Sequence, residues 1–273
     1  MSKIIEYLNE LHVLTNETDF QYFNPTNSYS YISKLTRFSR KKLLPSFIVT
    51  TDPNGTEITR AVNYNKDGDY LNIQDFGPAP SDKINKPGRA NFIGQSIFYC
   101  SEMPGTSLFE VRPKGNGEYI GLITLKIDRS LKLMSFGLMD QYDFSNDIKF
   151  DERDIAVNQF FGEKFKEYVP EGEEHLYYPT AIISNLFYKN DIDGLLIPSV
   201  ASNLKAENIV LKPSIVDNIE TIVDLRIVKV YDYCDSTNFK TKCVKKCETK
   251  EGDNLIWDKI SCSGHHISEN IYE

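Results

Sequence analysis

Histidine is scarce in this 273-residue chain, with four copies at positions 12, 175, 265 and 266. Acid–base catalysis built on imidazole therefore has few candidates. The signatures of several large enzyme classes are also missing. There is no GxxxxGKS or GxxxxGKT phosphate loop, no HExxH zinc motif and no GxSxG nucleophile elbow. Nor does GxGxxG follow a strand; the nearest approach, Gly115, Gly117 and Gly121, falls in a turn between an expected helix and an expected strand and reads as a connection. No run reaches the ~18 apolar residues of a membrane span. The first residues, MSKIIEYLNELHVL, carry acidic groups where a signal peptide keeps an unbroken apolar core, so a cytoplasmic protein is expected.

Excess positive charge is lacking too. The net charge of −8 disfavours non-specific nucleic-acid binding, which draws its affinity from phosphate neutralisation. Cysteines number five, at 100, 234, 243, 247 and 262, an odd count without paired CxxC knuckles. This is not a disulfide scaffold, and reduced thiols are expected. Cys243, Cys247, Cys262, His265 and His266 are numerous enough for a tetrahedral zinc site, but their spacing favours a solvated tail without metal.

What is present is the composition of a folded α/β mixture: 40% hydrophobic residues, with Tyr and Phe at 16 each. Ile4, Ile5, Leu8, Leu11 and Leu14 recur near a helical period, and a second N-terminal helix is expected over SYISKLTRFSRKKLL, its basic run being a solvated face. EITRAV reads as a strand, and residues 63–88 as a long loop rich in Asn, Asp, Gly and Pro. Strand signals recur in SIFYCS, EYIGLITLKI, LKLMSF, GLLIPSV, NIVLKP and TIVDLRIVKVYDY. Helical signals fall in TSLFEV, DERDIAVNQFFGEKFKEYV and PTAIISNLFYKN. This order lacks a regular βα alternation and points to an α+β fold with a mixed, largely antiparallel sheet. Three blocks are expected: an N-terminal helical extension at 1–50, a central α+β domain at 51–232 and a Cys- and Lys-rich appendage at 233–273.

The chemistry-bearing residues then stand at the ends of these elements: Arg60, Arg89, Tyr99, Glu110 and Ser199. Singly, each fits an ordinary structural role, since Arg and Glu at element edges are usually solvated and a strand Tyr usually buries its ring. Together, two arginines suit a phosphate or pyrophosphate, and a carboxylate beside them suits positive charge developing at a sugar carbon. Arg112, two residues beyond Glu110, is a further cation that pairs with the carboxylate or with phosphate in this scheme.

The run GRANFIGQSIFYCSEMPGTSLFEVRP, followed by YIGLITLKI and later by IDGLLIPSVAS and NIVLKP, resembles the RES domain family, named for its Arg, Glu and Ser. The resemblance spans about residues 56–230. It implies that Arg60, Arg89, Tyr99, Glu110 and Ser199 are the family's catalytic set, with Arg37 and Arg40 as alternatives to Arg60, and that Asn208 joins Arg60, Arg89, Tyr99 and Ser199 in holding the substrate. By the same resemblance, the fold is of the ADP-ribosyltransferase and diphtheria-toxin type, a split mixed sheet with a cleft for NAD⁺. The implied activity is NAD⁺ degradation by phosphorolysis or hydrolysis of the nicotinamide–ribose bond. NAD⁺ is then a substrate, inorganic phosphate a co-substrate, and no cofactor is required. Family members that are toxins imply an antitoxin partner. No nucleic-acid or membrane partner is expected, and a homo-oligomer is allowed. The alternatives are an ADP-ribosyltransferase acting on a macromolecule and a noncatalytic module that binds a nucleotide or a partner.

Overall fold

The computed structural model describes residues 47–64, 72–137, 152–216, 222–235, 238–251, 254–259 and 266–267. In chain order the elements are β1 (Ile48–Thr50), β2 (Thr56–Tyr64), β3 (Phe98–Cys100), α1 (Pro104–Glu110), β4 (Tyr119–Ile127), β5 (Lys132–Ser135), α2 (Glu152–Lys166) and α3 (Tyr178–Tyr188). They continue with β6 (Gly194–Pro198), β7 (Glu207–Leu211), β8 (Ile222–Asp235), β9 (Asn238–Glu251), β10 (Asn254–Lys259) and β11 (His266–Ile267). The strands belong to two mostly antiparallel sheets, with β5 and β6 running parallel. This is the α+β architecture that the order of elements indicates.

Two compact units interleave along the chain. One comprises Met1–Thr50, Pro80–Ile97 and Leu131–Pro198; the other comprises Thr51–Ala79, Phe98–Ser130 and Ser199–Glu273. Of the N-terminal extension expected at 1–50, all but residues 47–50 lies outside the described residues, as do Arg37 and Arg40.

In the first unit β1 pairs antiparallel with β5, and β5 parallel with β6. Its core centres on Phe136, which stacks on Phe165 at 5.3 Å and meets Phe161 and Phe187 edge-on at 5.8 and 5.0 Å. The aromatic positions of α2 face this cluster because Phe161 and Phe165 are four residues apart, one helical turn. Close approach of the backbones is the second device. A Cβ on Gly162 would collide with the Gly137 backbone, and Gly137 itself has φ +70°. Asn158, on α2, seals the contact by donating to the Ser135 carbonyl at 2.7 Å and accepting from the Gly137 amide at 3.2 Å.

The second unit is built on the sheet β10–β9–β8–β4–β2, with β11 pairing antiparallel with β9 at Thr241 and Lys242. The segment expected as an appendage thus carries strands of this sheet: β9 continues the ladder from β8, and β10 from β9. On one face of the sheet Ile120, Leu122, Val228 and Val230 pack with Leu108 of α1, and Ala61 and Val111 flank them. On the other face Phe76 is fully buried against Gly121, where a Cβ would stand 2.6 Å from its ring. Phe76 ends a short 3₁₀ turn, Ile73–Phe76, capped by the Asn72 side chain. The long loop expected at 63–88 therefore contributes to the core at this point.

Candidate active site

The site is assembled within the second unit from α1, β3, β7 and the turn that precedes β7. β3 pairs antiparallel with β7, Tyr99 opposite Val210 and Cys100 opposite Ile209. Side chains alternate along each strand, so Tyr99 of β3 and Asn208 of β7 share a face. The α1 helix starts at Pro104, whose missing N–H suits a first-turn position. It is anchored by Ser107 Oγ, which donates to the Thr59 carbonyl at 2.6 Å, and by Ser101 Oγ, which donates to the Glu207 carbonyl and accepts from the Met103 amide. The helix ends at Glu110, its seventh residue, which brings its carboxylate to the Tyr99–Asn208 face.

There, Glu110 Oε1 accepts two short hydrogen bonds, from Ser199 Oγ at 2.6 Å and from Asn208 Nδ2 at 2.6 Å. Asn208 Nδ2 also donates to the Tyr99 hydroxyl at 2.8 Å. Oε2 carries neither of these bonds. Ser199 and Asn208 are both 0% exposed, whereas Glu110 and Tyr99 are half-buried. The two donors to the carboxylate are thus fully covered, while the carboxylate residue and Tyr99 are each partly exposed. Ser199 commits its single proton to Glu110 and accepts from the Ser202 amide at 3.2 Å, so toward a ligand it can only accept.

Ser202 was not singled out in the sequence. Its hydroxyl donates to the Ser199 carbonyl and accepts from the Ala206 amide, so it ties both ends of the turn between Ser199 and β7. The signal available was the spacing, since a serine three residues after another in a turn can close such a loop. The turn also holds Asn203 and Leu204 at φ 55° and 64°, left-handed values that non-glycine residues seldom adopt.

Arg60 stands differently. Its neighbour Ala61 packs on the face that α1 covers, so Arg60 projects from the opposite face of β2. Its guanidinium lies over the Phe98 ring at 5.2 Å, Nη1 donates to the Tyr99 carbonyl at 3.1 Å, and Nε is buried with no hydrogen-bond partner among the described residues. Burial draws Arg60 below the ordinary arginine value, against an opposing pull from Cys100. The Cys100 thiol is pushed up by its own burial. Arg60 thus touches the backbone of the site strand, but no bond joins its side chain to those of Tyr99, Glu110, Ser199 or Asn208.

Arg89 belongs to the first unit. Nη1 donates to the carbonyls of Phe165 and Glu167 at 2.6 and 3.0 Å, at the end of α2, and the guanidinium lies over the Tyr177 ring at 5.1 Å. It closes the C-terminus of a helix, where unpaired carbonyls favour a cation. Gly88 is next to it, in a tight turn where a Cβ would meet the Asn91 side chain at 2.5 Å. Among the described residues no three His, Cys, Asp or Glu side chains gather as a metal site. Of the zinc candidates, Cys262 and His265 lie outside the described residues. No described helix is long and apolar enough to cross a membrane.

None of the curated proteins matches the sequence. Among solved structures, one similar chain comes from the crystal structure of the M. tuberculosis MbcT–MbcA toxin–antitoxin complex. It is 11% identical, the alignment covers 66% of this chain and 86% of that one, and the TM-score is 0.35. The RES domain model matches residues 68–228, more than half of the chain. Arg89, Tyr99, Glu110, Ser199 and Asn208 fall inside this range and Arg60 precedes it. With the carboxylate, the serine and their hydrogen bond all within the matched segment, this chain belongs to the RES domain family.

Proposed function

We propose that this protein is an NAD⁺-degrading enzyme that cleaves the nicotinamide–ribose bond, with phosphate or water as the acceptor. The observation that carries this reading is the Glu110 carboxylate, whose Oε1 is held by Ser199 and Asn208 while Oε2 carries neither of these bonds. Nicotinamide is bound to ribose as a cationic pyridinium, so it leaves with the bonding electron pair as a neutral molecule and needs no general acid. The ribose carbon becomes oxocarbenium-like, and a fixed carboxylate stabilises that charge in the transition state without reorganising. Attack by phosphate then yields ADP-ribose 1″-phosphate; attack by water yields ADP-ribose and a proton. Neither route calls on histidine, metal or a cofactor.

In this reading Tyr99 packs against the nicotinamide or its ribose. Ser199 and Asn208 hold the carboxylate. Depletion of NAD⁺ would arrest growth, so the cellular role proposed is that of a toxin restrained by an antitoxin. The test is to incubate purified protein with NAD⁺, with and without phosphate, and to look for free nicotinamide. Transfer of label from NAD⁺ to a protein or nucleic acid would instead identify a transferase.

A further inference from the structure

Asn208 has a geometry that a substrate contact does not need. Its side chain is 0% exposed. Both Nδ2 protons end on protein oxygens, one on Glu110 and one on Tyr99. Its Oδ1 is buried and has no hydrogen-bond partner among the described residues. A side chain with both donors committed and its carbonyl covered does not reach a ligand. The amide orientation follows from chemistry, because the opposite one would set Oδ1 against the carboxylate oxygen at 2.6 Å, acceptor facing acceptor.

A glutamate carboxylate turns about a broad, two-fold terminal torsion, so one hydrogen bond leaves its plane loosely defined. Here two donors converge on the same oxygen from separate elements, Ser199 at the head of a turn and Asn208 within β7. We infer that Asn208 is a positioning residue: its amide joins Glu110 Oε1 to the Tyr99 hydroxyl, so that Glu110 presents Oε2 to the substrate and Tyr99 turns its proton away from Asn208. This rests on the proposed role of Glu110 as the carboxylate that faces the reacting ribose. It replaces the direct NAD⁺ contact expected of Asn208 from the family resemblance.

The test compares Asn208→Leu and Asn208→Asp, each alone and combined with Glu110→Gln, by kcat and KM for NAD⁺, with thermal melts to confirm folding. Leucine removes the donors at similar volume. Aspartate keeps the carbonyl-like oxygen but sets a second oxygen against Oε1. For a positioning role, Asn208→Leu lowers kcat by about 10²-fold, in the range of losing one fixed donor, with KM little changed. Asn208→Asp loses at least as much, and neither substitution lowers the residual activity of Glu110→Gln further. Wild-type kinetics in Asn208→Asp with a raised KM in Asn208→Leu would overturn the inference in favour of a substrate contact through Oδ1, and independent, additive losses in the Glu110→Gln background would overturn it as well. Should the wild-type protein leave NAD⁺ intact, the proposed reaction fails, and a second readout then decides the inference. The ¹³C resonance of the Glu110 carboxylate, assigned by its loss in Glu110→Gln, shifts and broadens in Asn208→Leu if Asn208 holds it; an unchanged resonance overturns the positioning role.

Discussion

Ser199 donates to Glu110 across 89 positions of sequence, Oγ to Oε1 at 2.6 Å, and receives the Ser202 amide in return. Ser199 and Glu110, which the family resemblance assigns as its serine and glutamate, are therefore one hydrogen-bonded unit in this protein. The serine acts on the carboxylate before it acts on any ligand.

Ser199→Ala removes one of the two donors on Oε1 and leaves the Ser202 amide without its acceptor. The expected outcome is a fall of about 10- to 10²-fold in kcat for NAD⁺ with KM nearly constant, as for loss of a fixed donor that acts in the transition state. A raised KM at unchanged kcat would show that the hydroxyl contacts substrate directly.

Arg89 closes the end of α2 through two main-chain carbonyls and lies over Tyr177. Arg89→Ala should cost about 1–3 kcal/mol in urea unfolding, the range for hydrogen bonds to a charged group, with Arg89→Lys in between. Activity lost at unchanged stability would place Arg89 on the ligand alone.

Gly162 on α2 lies so close to Gly137 that no Cβ fits between the backbones. Gly162→Ala gains helix propensity, worth about 1 kcal/mol, but forces the helix away from Phe136. A net destabilisation of about 2 kcal/mol or more is expected, within the range for overpacking, and calorimetry measures it. A rise in Tm would mean that this contact is not close in solution.

Glu102, on the surface, has its carboxyl held above the ordinary carboxylate range, first by partial desolvation and then by the nearby Glu207. The fold therefore binds this proton more tightly than the unfolded chain does. Stability falls as pH rises from the unfolded value of ~4.3 through the raised one. Glu102→Gln should raise Tm at neutral pH, and the gain should vanish below about pH 4. Thermal melts across pH measure this, and equal melts of the two proteins at every pH would contradict it.

Much of the architecture was legible because its elements are short and sharply punctuated. β4, with its continuous apolar run bounded by Gly and Asp, and α3, opened by Pro179, fall where the pattern places them. Tyr99, Glu110, Ser199 and Asn208 were picked out through the motifs of the family resemblance, since each alone fits an ordinary structural role. Their hydrogen bonds were not legible, because they depend on β3–β7 register and on the Ser202-closed turn, which are long-range matters. Arg60 shows the limit most clearly: a strand residue reads the same whichever face it occupies, and only the packing of Ala61 against α1 reveals that Arg60 lies on the other face. The strand β9 escaped notice because Lys and Cys mask its period-two pattern.

The most direct measurement is product-resolved NMR of NAD⁺ incubated with wild-type protein and with Glu110→Gln, in buffers with and without phosphate. The expected result is release of nicotinamide by the wild type, together with ADP-ribose 1″-phosphate or ADP-ribose, and a loss of about 10²-fold or more in the variant, whose amide cannot stabilise a developing positive charge as a carboxylate does. Intact NAD⁺ in every wild-type sample, or equal turnover by Glu110→Gln, would contradict it.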